Sequence, residues 1–129
     1  MTEPVWIPRE MVLAMHLRQL AEHGGGQGVR DEGLLDSALQ RPANKLTYGS
    51  PDLAELAAAY AYGIARNHPF IDGNKRTALV TSFTFLYVNG LQMTTSQEQN
   101  ARQFLALAEG SVEESELADW FRKNTGPRR

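Results

Sequence analysis

The chain has 129 residues, of which 42% are hydrophobic and 22% charged, enough to bury one core; a single domain over residues 1–129 is expected. It contains no cysteine, which excludes disulfides, thiolate zinc sites and a cysteine nucleophile and suits a reducing cytosol. The net charge of −2 at pH 7 argues against a broad surface for nucleic-acid phosphates.

The opening stretch MTEPVWIPRE lacks the basic start and apolar run of a secretory leader. The longest apolar stretch, Thr77 to Leu91, is too short for a membrane span, which takes roughly 20 residues. A cytoplasmic protein without a membrane partner is therefore expected. Pro8 suits a first helical turn, and Val12, Met15, Leu17 and Leu20 follow at roughly helical spacing. HGGGQG (23–28) stops that helix, because consecutive glycines favour positive φ over helix. His16 reads as a helix-face histidine and His23 as a C-terminal one, while Trp6 and Trp120 read as core or rim aromatics. Asp31 caps a second helix carrying Leu34, Leu35, Ala38 and Leu39, which is predicted to end before Pro42. RPANKLTYGSP (41–51) is the longest irregular connection, with a short β-hairpin or ordered flap expected near 43–50, around Lys45, Leu46, Thr47 and Tyr48.

Asp52 begins a third helix with Leu53, Leu56, Tyr60 and Ile64 on one stripe. Pro69 pushes His68 out of the α region, so that helix ends near Asn67. A fourth helix runs from Asn74 or Lys75 to about Asn89; it is apolar nearly all round and is predicted to be the central buried helix. LQMTT (91–95) suggests a short extended piece. Two amphipathic helices follow, through Phe104 and Leu105 and through Leu117, Trp120 and Phe121. The fold class is all-α, with about six helices in one compact domain.

HPFIDGNKRTAL (68–79) gathers a histidine, a carboxylate, an asparagine and two cations at the entrance of the fourth helix. A helix N-terminus with free N–H groups is a ready anion site, Gly73 allows close backbone approach, and Lys75 and Arg76 add charge. Asp72 beside bound phosphates calls for a cation between them, as when Mg²⁺ sits on one carboxylate and substrate phosphates. His68 is the nearby side chain of the type that serves as a general base near neutral pH. The same residues also fit ordinary helix punctuation, with Phe70 as a core plug, Asp72 as an N-cap and Asn74 as a turn residue. Arg66 reads as a surface ion-pair residue.

Taken together, His68, Phe70, Asp72, Gly73, Asn74, Lys75 and Arg76 resemble the signature of the Fic/Doc superfamily, H-x-F-x-(D/E)-G-N-(G/K)-R, at every fixed position. The likeness extends to PREMVLAMHLRQLAEHGGG, to the second helix with its RP, and to FLYVNG. Lys75 replaces a glycine, and Leu79 an arginine, of the Fic branch, which typically transfers AMP from ATP to a protein hydroxyl. Both departures resemble the Doc (death-on-curing) branch. That resemblance implies a toxin of a toxin–antitoxin pair, a protein kinase that uses ATP and Mg²⁺ to phosphorylate a threonine of elongation factor Tu and so blocks translation. A Fic-type protein adenylyltransferase is the alternative. It further implies that His68 takes the hydroxyl proton and Asp72 positions Mg²⁺, while Gly73, Asn74, Lys75 and Arg76 bind the phosphates. Phe70 would anchor the loop, and Lys45 to Tyr48 would form a flap aligning the target. The inhibitory stretch of many Fic proteins, S/T-x-x-x-E-G/N, fails here at Gln99, after Thr94 and Glu98, so a separate antitoxin is expected.

Overall fold

The computed structural model describes residues 3–129; Met1 and Thr2, the first two of the expected domain, lie outside them. The element order is α1 (Arg9–His23), α2 (Glu32–Thr47), α3 (Leu53–Asn67), α4 (Asn74–Val88), β1 (Leu91–Met93), α5 (Gln97–Glu109), α6 (Glu114–Lys123) and β2 (Thr125–Pro127). The all-α class with six helices is as the sequence predicts. The strands form one antiparallel pair, with Gln92 opposite Gly126. No helix among the described residues is long and apolar enough to cross a membrane.

The central helix is α3 rather than α4. Ten of its 15 residues are buried, six of them alanines, and α2, α4 and α6 all pack against it. Small side chains let neighbouring backbones approach closely. A Cβ on Gly63 would stand 3.1 Å from both Cα and O of Ala38 in α2. The N-terminus of α3 is set by a capping box: the Asp52 carboxylate accepts the Glu55 N–H at 2.8 Å, and the Glu55 carboxylate accepts the Asp52 N–H at 3.3 Å. Burial pushes the Asp52 carboxyl up, but the Arg122 guanidinium and the Glu55 N–H outweigh it and hold it below the ordinary carboxylate range. In α4 the buried face is Thr77, Ala78, Thr81, Ser82, Phe85 and Leu86, the first four of them small, on the helix that packs against alanine-rich α3, while Leu79, Val80 and Phe83 are only half-buried.

Two further expectations are corrected. In α1 the buried stripe is Val12, His16 and Leu20, spaced by four; Leu17 points outward and His16 is a core residue at 2% exposure. In α2 the helix continues through Pro42 to Thr47, so no hairpin forms near 43–50. A proline inside a helix costs about 3 kcal/mol, yet tertiary contacts hold this one. Pro42 is itself buried, Leu46 packs on the core, and Arg41 and Lys45 both pair with Glu114 of α6. Thr47 Oγ1 donates to the Ala43 carbonyl at 3.0 Å and the Tyr48 N–H to the Asn44 carbonyl at 3.1 Å, so the last turn is closed as helix.

Candidate active site

The site begins where α3 stops. Pro69 disfavours continuation, and His68 takes a left-handed conformation (φ 50°, ψ 56°), the one non-glycine residue with positive φ among those described. The connection between α1 and α2 then runs antiparallel alongside the loop. Val29 bridges to Phe70, the Arg30 N–H donates to the Pro69 carbonyl at 2.7 Å, and the Ile71 N–H donates to the Gly28 carbonyl at 3.1 Å. Strand-like pairing beside the motif thus comes from residues 28–30.

The expected flap residues lie elsewhere. α2 starts beside Pro69, where Asp31 N–H meets the Pro69 carbonyl, and ends at Thr47 just before α3 begins at Leu53. A 15-residue helix is roughly 22 Å long, which puts Lys45, Leu46, Thr47 and Tyr48 at the opposite end of α3 from His68. Their N–H groups serve the helix, so they offer no strand edge to a target.

Asp72 is gripped at both its polar ends. Its Oδ2 accepts the Gly26 N–H at 2.7 Å, and its carbonyl accepts from His16 Nε2 at 2.8 Å. A carbonyl can only accept, so this bond assigns the proton of His16 to Nε2. The glycine run is needed for this approach. A Cβ at Gly25 would stand 3.1 Å from Asp72 Cβ, and one at Gly26 3.1 Å from Asp72 Oδ2. Phe70 is buried at 1% exposure and stacks on the His16 ring, with centroids 3.8 Å apart. The Asn74 side chain closes the loop on itself: its Oδ1 accepts the Phe70 N–H and its Nδ2 donates to the Phe70 carbonyl, both at 2.9 Å. The main-chain N–H of Asn74, in the first turn of α4, stays available to a ligand.

Gly73, with φ 79°, is the N-cap of α4, and Asp72 is not. No side chain caps this helix, so its first-turn N–H groups are free for an anion. Lys75 and Arg76 are exposed and take part in none of the ion pairs of the described residues, which leaves both charges for a ligand. His68, Asp72, Gly73, Asn74, Lys75 and Arg76 line one hollow of about 280 Å³ with Ile71. A groove of about 410 Å³ between α1, α4 and α5 adjoins it through Lys75 and Arg76 and carries Leu79, Val80 and Phe104 on its apolar side.

A cleft of about 470 Å³ between α2, α3 and α6 is a different matter. Most of its charges are paired among themselves, as in Lys45–Glu114 at 3.1 Å and Arg122–Glu55 at 3.8 Å, so it reads as an ion-pair network joining helices. Arg66, expected in a surface ion pair, lies over the Tyr62 ring at 5.0 Å instead. Among the described residues no three metal-ligating side chains come together. The single carboxylate of Asp72 fits a hard cation that takes its other ligands from phosphate oxygens and water.

Three contributors were not visible as such in the sequence. His16 and Arg30 act across 56 and 38 residues respectively, and Gly25–Gly26 announced themselves only as a helix stop. Three successive glycines were the one available signal.

The family model described as the Fic/DOC family matches residues 6–86. Toxin Doc of Mycolicibacterium smegmatis is 49% identical over 73 residues, 54% of this chain and 55% of that protein, so the match spans about half its length. Protein kinase doc of Escherichia phage P1 is 35% identical over 121 residues, 93% of this chain and 95% of that protein.

Proposed function

The chain belongs to the Fic/DOC family, and from that premise we propose that it is a Doc-like toxin, a protein kinase that transfers the γ-phosphate of ATP to a hydroxyl of a protein target. One observation carries the reading. The exposed His68, the Asp72 carboxylate, the uncapped N-terminus of α4 and two cations without carboxylate partners share one hollow. Phosphates need donors and positive charge, the carboxylate needs a cation between itself and them, and a hydroxyl nucleophile needs a base.

In this mechanism the first-turn N–H groups of α4 with Lys75 and Arg76 bind the phosphate oxygens. Lys75 and Arg76 also stabilise the charge that builds up on the transferring group. Asp72, fixed by Gly26 and His16, offers its free Oδ1 to Mg²⁺. Bound there, the ion would supply positive charge against the phosphates. His68 takes the proton of the target hydroxyl as its oxygen bonds to the γ-phosphorus. The bond from that phosphorus to the bridging oxygen breaks, and ADP leaves. The half-apolar groove along Leu79 and Phe104 is the adjoining space that suits the base and ribose.

The target proposed from the Doc resemblance is a threonine of elongation factor Tu, which would stop translation. The edge at 28–30, already paired with the catalytic loop, is the segment suited to hold a target chain, in place of Lys45 to Tyr48. A separate antitoxin is proposed as the control. The stretch closest to an inhibitory motif is occupied in capping α5: Ser96 Oγ accepts the Gln99 N–H at 3.1 Å, and Glu98 pairs with Arg102 at 3.2 Å.

The test is to incubate the protein with elongation factor and ATP labelled at either the α- or the γ-phosphate, then weigh the target. Label from the γ-position alone and a gain of about 80 Da, one phosphate, are expected. A gain matching AMP would overturn the kinase reading and favour protein adenylylation.

A further inference from the structure

The α1–α2 connection holds the catalytic loop at Asp72 through Gly26 and at Pro69 to Ile71 through residues 28–30, and one side chain of that connection has no part in the mechanism above. Arg30 directs its guanidinium at the end of α3, where Nε donates to the His68 carbonyl at 2.7 Å and Nη2 to the Asn67 carbonyl at 2.9 Å. These are among the last carbonyls of the helix, which have no partner within it. A planar fork matches two adjacent acceptors better than a point charge does. Arg30 pairs with no carboxylate among the described residues, so its charge is given to these carbonyls.

The residue it grips is in a state that requires gripping. His68 is left-handed, a conformation L-residues keep only when their surroundings impose it. The Arg30 backbone is itself anchored, since its N–H donates to Pro69 and the preceding Val29 bridges to Phe70. By contrast, the phosphate cradle is held by other groups: Asn74 on Phe70, His16 on the Asp72 carbonyl, and Gly26 on the Asp72 carboxylate.

We infer that Arg30 is a positioning residue for the base, fixing the backbone of His68 and so the direction of its imidazole, without contact to nucleotide or target. The inference rests on His68 being the base. It predicts a split in the kinetics. Arg30→Met should lower kcat by about 10- to 100-fold, the scale of a misplacement near 1 Å, with KM for ATP within about twofold of the parent. Arg30→Lys, which can reach one carbonyl, should recover part of the loss. Wild-type kcat in Arg30→Met, or a matching rise in KM for ATP, would overturn the assignment.

Two controls keep the test decisive. If Arg30→Met does not fold, Arg30→Lys carries the test alone: reduced kcat at normal KM supports the role, and full kcat refutes it. If the wild-type protein transfers no phosphate, the reading of the site fails, and NMR of the free protein still decides for Arg30. A moved His68 Cε1–H resonance with the amide signals of Lys75 and Arg76 in place supports the clamp; an unmoved His68 signal refutes it.

Discussion

At the scale of single residues, His68 is the point where stability and chemistry pull apart. A left-handed L-residue costs roughly 1–2 kcal/mol, which glycine avoids, and glycine in turn gives up some chain entropy. His68→Gly should therefore melt above His68→Ala, by about 1 kcal/mol at most, and transfer should fall by roughly 10²-fold or more in both. Thermal denaturation and a phosphate-transfer assay on the pair check this; equal melting with intact transfer would sink it. The motif side chains were legible in the sequence because they lie in nine consecutive positions. Their supports were not. His16 looked like one more polar residue on an amphipathic helix, and only its 2% exposure and its bond to the Asp72 carbonyl show why a histidine stands there. The amide of Asn74 likewise pairs with both backbone groups of Phe70, a closure that only the folded loop displays.

At the scale of elements, α3 explains both what was read correctly and what was not. Its start, its apolar stripe and its end at Asn67 follow from a capping residue, a 3.6-residue period and a proline, all local signals. That it is the central helix depends on its alanines meeting small residues of α2 and α4, which no single segment displays. The Gly63–Ala38 contact gives a test. Alanine at Gly63 would gain up to about 1 kcal/mol in helix propensity but would crowd the Ala38 backbone, at a cost of typically 1–3 kcal/mol. Because the obstacle is backbone, crowding should win, and Gly63→Ala should lower the urea midpoint. The Pro42 error has the same origin: Lys45, Leu46 and the buried ring hold a helix that its own sequence disfavours. The α3 cap adds a pH dependence. Because folding lowers the Asp52 value, its contribution is present above the ordinary carboxylate range and is lost as pH falls through and below about 4. Asp52→Asn should be less stable than the parent at neutral pH and should lose less stability on acidification; the pair is half exposed, so the difference is modest. Parallel acid titrations of both proteins would show it, and curves of equal slope would refute it.

For the whole molecule, a net charge of −2 conceals two cations without carboxylate partners at an uncapped helix end. An anion that fills this place binds the folded chain alone, so Mg²⁺ with ATP should raise the melting temperature, by as much as about 2.7 kcal/mol of stability at a hundredfold excess over Kd. The shift should shrink with added salt. It should shrink as well in Asp72→Asn when magnesium is supplied; no shift in the parent would refute nucleotide binding. The distribution of supports along the chain also has a meaning in time. His68 stands at the end of α3, α3 is held in part by α6, and the clamps on the loop come from α1 and the connection after it. A ribosome delivers the chain at about 5–20 residues per second. The motif is therefore made seconds before the last helix that steadies its scaffold, and for that interval a newly synthesised chain carries the signature without a finished catalyst.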